Sequence, residues 1–311
     1  MSSVNFENVK LVIADGGAQI RREVKALLHH QGFRDIVETG DIQVLRDAIR
    51  LNEVDLLIAD ADLPSGDVCG LTKEIRHNEI GDNPFIVVMT LVQDPDEDRI
   101  REIIDSGSDD LILKPITTGT MIKRVLNMMS ERKKFVVTSD YIGPTRRQKA
   151  RVGAEEVEQM DVPNPFRARA VGGVELDMLQ EEVDQFRGVV NEQKMERNAS
   201  QIVYLVDRLL PIYDREKVKK KDVLEQIDRL KFITEDTARR LRGTTYDHIG
   251  QLCNSMVDVV KTIRAKPTKP PNRDLRLLPE LARAIETSFR SEENLALARE
   301  LSESLQQRHA R

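Results

Sequence analysis

Between Asp55 and Pro64 the chain runs Leu56-Leu57-Ile58-Ala59-Asp60-Ala61-Asp62-Leu63, an apolar stretch that stops on two acids and then a proline. A short apolar run without polar alternation predicts a strand buried on both faces, as in a parallel sheet covered by helices. In such sheets the carboxyl ends of the strands form the ligand edge. Asp60 is therefore expected at that edge, with Asp62 beside it.

Three further runs deliver polar groups in the same way. Leu11-Val12-Ile13-Ala14 leads to Asp15, Phe85-Ile86-Val87-Val88-Met89 to Thr90, and Leu111-Ile112-Leu113 to Lys114-Pro115. The segments between them have helical spacing. Apolar residues fall at 20, 24, 27 and 28, then at 44, 45, 48 and 49 behind Asp41 as a cap, then at 68, 71 and 75. Ile100, Ile103 and Ile104 mark a fourth helix, and Met121, Ile122, Val125 and Leu126 a fifth. Alternation of this kind predicts an α/β fold, a doubly wound five-stranded parallel sheet with crossover helices.

With Asp15, Asp60, Pro64, Thr90 and the segment Ser108 to Pro115 in this order, residues from about Val9 to Arg132 resemble a response-regulator receiver domain of two-component signalling. The resemblance implies a flavodoxin-like fold and a phosphoryl acceptor at Asp60, loaded by a histidine kinase or phosphotransfer protein. It implies Mg²⁺ held by Asp15 and Asp60, Thr90 as the switch hydroxyl and Lys114 as the cation facing the phosphoryl oxygens. A carboxylate attacking phosphorus needs such cations, because two anions repel.

Three positions depart from the family pattern. Gly16 stands where a second acid is usual, which lowers the expected metal affinity; Asp62 either supplies the missing ligand or simply solvates the loop. Leu91 follows the switch hydroxyl, where a small residue is usual, and is expected to crowd the approach of a phosphodonor. Leu111 occupies an aromatic slot. Taken singly, each polar residue also has an ordinary structural role: a Thr closing a strand, a Lys in an exposed loop, acids at turns.

The chain has 311 residues, more than twice the length of this segment, so a second domain is expected. The first 130 residues carry a net charge of −9 and the remainder +4. The acidic half attracts cations and complements the basic half. Residues 1–135 are read as the receiver and 136–174 as a linker rich in Pro, Gly and Arg. Within that linker, Tyr141-Ile142-Gly143-Pro144-Thr145-Arg146-Arg147 is similar to a tail motif that follows some bacterial receivers. Its basic residues, with Lys149 and Arg151, are read as a solvated stretch and not as a nucleic-acid contact.

Residues 175–311 are read as a helical bundle or coiled coil. Leu176 to Val190 and Ile202 to Leu209 form two stripes, the second ended by Pro211. A short helix through Val223, Ile227 and Leu230 follows, then a long one from Ala238 to Ile263 interrupted near Gly243 or Gly250. After Lys266 to Pro271 come a helix through Leu278 and Ile285 and a last one from Ser291 through Leu305. A homodimer is one way to cover these stripes. His248 lacks the downstream residues of a phosphotransfer site and is read as structural. Cys69 and Cys253, far apart, are read as reduced buried thiols, the N-terminus has no secretory pattern, and a cytoplasmic, non-enzymatic protein is expected.

Two functions follow. One is a response regulator whose receiver, phosphorylated at Asp60, changes how the helical region binds another protein. The other is a pseudo-receiver that acts as a phosphorylation-independent scaffold. A third, a phosphatase using Asp60 and Asp62 as a paired-acid motif of the haloacid dehalogenase type, fits poorly at Leu63-Pro64 and in its strand position.

Overall fold

A computed structural model describes residues 4–146, 157–172, 176–215, 218–244 and 246–290. The chain divides between Val189 and Val190 into two compact units.

The first unit is built on five parallel strands, β1 (Leu11–Ala14), β2 (Ile36–Thr39), β3 (Leu56–Asp60), β4 (Val87–Val92) and β5 (Asp110–Leu113), in the order β2-β1-β3-β4-β5. The crossovers are α1 (Ala18–His30), α2 (Ile42–Arg50), α3 (Val68–Arg76) and α4 (Glu97–Asp105), with α5 (Thr118–Ser130) after the last strand. Four of these helices start on a side chain that accepts a first-turn N–H. The pairs are Asp41 with Gln43, Asp67 with Gly70, Asp96 with Arg99, and Thr117 with Thr120.

Alternate strand residues build two cores. Leu11, Ile13, Ile58, Met89 and Leu91 meet Val24 and Leu28 of α1 and Met121 and Val125 of α5. Val12, Leu57, Ala59 and Val88 meet Leu45 and Ile49 of α2 and Val68, Leu71 and Ile75 of α3. Each buried Leu or Ile contributes about 1.5–3 kcal/mol by leaving water. Leu91 is fully buried in the first of these cores, so it does not crowd the acceptor edge as expected.

The segment expected as a linker carries regular structure. β6 (Phe135–Val137), β7 (Ile142–Pro144) and β8 (Gln159–Met160) form an antiparallel sheet in the order β7-β6-β8. The helix α6 (Pro165–Val171) follows, and its Phe166 joins a stack with Phe6 and Phe33 in the receiver core. Arg147, Lys149 and Arg151 lie outside the described residues.

The base of the β4–β5 pair is closed by a largely buried ion network, in which Arg76 and Asp109 are shut off from solvent and Arg132 lies at the margin. The Arg76 guanidinium donates to Asp109 Oδ2 (2.8 Å) and to the carbonyls of Gly107, Pro84 and Ile86. Arg132 donates to both oxygens of the same carboxylate and to the carbonyls of Phe85, Ile86 and Pro163. Both guanidinium groups lie over the Phe135 ring, at 5.2 and 4.8 Å from its centroid. Burial alone would push the Asp109 carboxyl up, but Arg132 and Arg76 outweigh it and hold it below the usual value.

The long helix α7 (Leu176–Tyr213) passes through Pro211 instead of ending at it, joining the two expected stripes. Pro211 lies two residues before the end, where the donor it lacks costs only one bond of the last turn. In the second unit, α7 residues from Met195 onward share a core with α8 (Lys220–Leu241), α9 (Gly250–Ala265) and α10 (Asn272–Arg290). The expected short helix is the first half of α8. The chain breaks between α8 and α9, where Gly243 takes a φ of +73°, a conformation that suits glycine. His248 falls in a 3-10 turn, Asp247–Ile249, before α9. The expected last helix, from Ser291 through Leu305, lies outside the described residues. No helix among the described residues is long and apolar enough to cross a membrane.

Candidate functional site

Because β1, β3 and β5 are parallel and in register, their carboxyl ends bring Asp15, Asp60 and Lys114 to one edge. Lys114 follows β5 and precedes Pro115 across a cis peptide bond. Its ammonium donates to Asp15 Oδ2 at 2.7 Å and lies 2.8 Å from Asp60 Oδ2. Asp15 is 1% exposed and Asp60 8%, so both acids are buried and Asp60 keeps only a small opening to solvent.

Local backbone geometry fixes the two acids. The Gly17 N–H donates to Asp15 Oδ1 at 2.7 Å, and the Asp62 N–H donates to Asp60 Oδ1 at 3.3 Å. Arg21 of α1 donates to the Asp15 carbonyl, tying that loop to the helix. Burial would lower the Lys114 pKa, but its hydrogen bonds to Asp15 and Asp60 outweigh that cost and raise it. The ammonium is therefore charged at neutral pH and is shared between the two carboxylates.

Thr90 and Asp62 lie near this cluster without joining it. The Thr90 hydroxyl, 1% exposed, sits 2.7 Å from Ser108 Oγ. The Asp62 carboxylate is paired with Arg99 of α4 at 2.8 Å, and the same guanidinium donates to the Ala61 carbonyl. Ser108 entered the sequence reading only as the first residue of the Ser108 to Pro115 segment, with no role of its own, and Arg99 was not singled out. Arg99 is one of many charges on a surface helix and carries no motif.

The residues present fall short of the three-acid site expected for Mg²⁺. Gly16 offers no side-chain oxygen, and a Cβ added there would lie 2.7 Å from Pro64 Cδ and 2.9 Å from Pro64 Cγ. In this chain Pro64 closes on Gly16, so a side chain at position 16 would require the ring or the loop to shift. Asp62 is held by Arg99, and Lys114 occupies one oxygen of each of Asp15 and Asp60. What the geometry offers is two carboxylates and one ammonium at a nearly closed edge.

A doubly wound sheet with acids and a lysine gathered at its carboxyl edge defines a receiver-class α/β domain, and the comparisons agree. The family described as response regulator receiver domain matches residues 11–126. The chain is 27% identical over 132 residues to chemotaxis protein CheY-3 of Vibrio cholerae, a match covering 42% of this chain and 99% of that one. It is 26% identical over 116 residues to transcriptional regulatory protein PdtaR of Mycobacterium tuberculosis, covering 37% of this chain and 54% of that one. A solved receiver-domain protein from Clostridium thermocellum is 21% identical, covers 38% of this chain and 92% of its own, and superposes with a TM-score of 0.34. Residues 11–126 are a response regulator receiver domain. The family match ends at residue 126, before the antiparallel extension and the helical unit.

Proposed function

We propose that this chain is a two-component response regulator that accepts a phosphoryl group on Asp60 and signals through a protein partner of its helical region. The observation that carries this reading is the Lys114 ammonium bridging Asp15 and Asp60 at the carboxyl edge. It neutralises the acceptor so that an anionic donor can approach, and it can turn from Asp60 to the phosphoryl oxygens. Beside Lys114, a groove of about 820 Å³ is lined by Ile20, Val24 and Leu27 of α1 and by Pro115 and Ile116. That groove gives a donor protein, a histidine kinase or phosphotransfer protein, an apolar seat next to the acceptor.

A second reading has its own support. Pro64 against Gly16 and Arg99 on Asp62 favour a pseudo-receiver that docks a partner without phosphoryl chemistry. Intact mass after incubation with acetyl phosphate, with and without Mg²⁺, separates the two. A phosphoryl-sized gain in the wild type that is lost in Asp60→Asn supports the regulator. No gain under either condition supports the scaffold.

A further inference from the structure

The segment Tyr141 to Arg146, a motif-like stretch inside the extension, folds back on the corner where α4 meets β5. Gly107 and Gly143 make this approach possible: a Cβ on Gly143 would lie 2.9 Å from Gly107 Cα, and one on Gly107 would lie 2.8 Å from the Ile142 carbonyl. Gly107 also has a φ of +91°. Pro144 pairs with Phe135 in the extension sheet, and the Tyr141 hydroxyl donates to the Pro144 carbonyl at 2.8 Å. From this platform Arg146 donates to the carbonyl of Ser108.

Ser108 is the residue that engages Thr90. Its Oγ has one hydrogen, and two carbonyls that can only accept are within reach: Asp110 at 2.9 Å and Val88 at 3.1 Å. Either hydroxyl can be the donor in the 2.7 Å Thr90–Ser108 bond. With the Ser108 proton on a carbonyl, Thr90 is the donor and spends its one proton on Ser108. Turning that proton to an oxygen at the acceptor edge requires giving the Ser108 bond up, and the Ser108 backbone is the group that Arg146 holds.

We propose that Tyr141 to Arg146 is a latch that reads the position of the Thr90 hydroxyl through Ser108. With Thr90 on Ser108, the loop carrying Ser108 is fixed and the latch is seated. With Thr90 turned to the acceptor, Ser108 loses a donor, the loop shifts, and the glycine contact and the Arg146 bond loosen. Linkage makes the effect reciprocal, so releasing the latch also frees Thr90. The trigger rests on phosphoryl acceptance at Asp60, while the coupling is a property of the unmodified chain. Ser108 and Arg146 are positioning residues in this scheme.

Amide hydrogen exchange of the full chain tests it, comparing peptides over residues 135–146 with peptides over β2 at the far edge of the sheet. Acetyl phosphate is expected to raise exchange in 135–146 about fivefold or more, the size of a typical coupling, and to leave β2 unchanged. Thr90→Val is expected to produce the same rise without any phosphoryl group, Thr90→Ser, which keeps the donor, to stay at the wild-type level until acetyl phosphate is added, and Ser108→Ala to give the loosened state from the outset. If the wild type gains no phosphoryl mass but Thr90→Val and Ser108→Ala loosen 135–146 selectively, acceptance at Asp60 fails and the latch stands. The latch is overturned if a chain that gains the mass shows no change in 135–146. It is overturned equally if Thr90→Val and Ser108→Ala leave 135–146 unchanged or loosen β2 as much.

Discussion

The two ends of the central sheet both hold acids against cations, yet they are built for opposite purposes. At the base, the single carboxylate of Asp109 faces two guanidinium groups, and backbone carbonyls take up further donors of both. At the carboxyl edge, two carboxylates share one ammonium on a flexible stem, next to solvent. Rigid forks with their donors taken up by fixed acceptors make a permanent clamp. A lysine shared by two acids makes an arrangement that can be exchanged. The same ion chemistry thus gives a fixed clamp at one end and an exchangeable pairing at the other, and the difference lies in burial and in how many partners each charge has.

The sharpest way to break this comparison is to remove an acid from the clamp. Asp109→Ala leaves two buried guanidinium groups facing each other without an anion and is expected to cost about 3–5 kcal/mol in chemical denaturation. A loss below about 1 kcal/mol would show that water reaches the clamp and that the two ends are alike. Lys114→Ala is expected to cost less, about 1.5–3 kcal/mol, because the Gly17 and Asp62 N–H groups still donate to the two acids it leaves behind. Gly16→Ala tests the Pro64 contact from the other side. Forcing a methyl against the ring is expected to cost about 1–3 kcal/mol, and an unchanged denaturation midpoint would refute the contact.

Stability against pH sharpens the comparison with smaller effects. Asp109 is held below its ordinary 3.8, so its contribution is present above that pH and is lost as pH falls through the lowered value. Lys114 is held above its ordinary 10.5, so its contribution is full below that pH and is lost as pH rises through the raised value. Asp109→Asn is therefore expected to flatten the acid limb of a melting-temperature profile and Lys114→Met the alkaline limb. In the second unit, Asp236 behaves like Asp109: burial alone would raise it, but Arg240 and Asn198 outweigh burial and hold it down to about 2. Part of the acid limb should therefore survive in Asp109→Asn.

What the sequence made legible was the part of the fold that repeats. Five apolar runs alternating with helical spacing are enough for the parallel sheet, and the strand ends alone bring Asp15, Asp60 and Lys114 to one edge. Contacts across long stretches of chain were not legible. Arg76 and Asp109 are 33 residues apart, and helix periodicity read from Val68, Leu71 and Ile75 does not reveal that the arginine beside them is the most deeply buried charge of α3. Leu91 was misread because the residue after a switch hydroxyl was placed by family position. Strand alternation puts it on the opposite face from Thr90. The extension was read as a linker because Pro and Gly usually break structure, whereas here Gly143 permits a close backbone approach and Pro144 pairs within a strand.

The proline ring lying on Gly16 has a consequence for redesign. A side chain introduced at position 16 meets that ring, so the ring or the loop after β1 must shift before an added carboxylate can take its place at this edge. An engineered acid at position 16 therefore calls for a compensating change in the loop that carries Pro64.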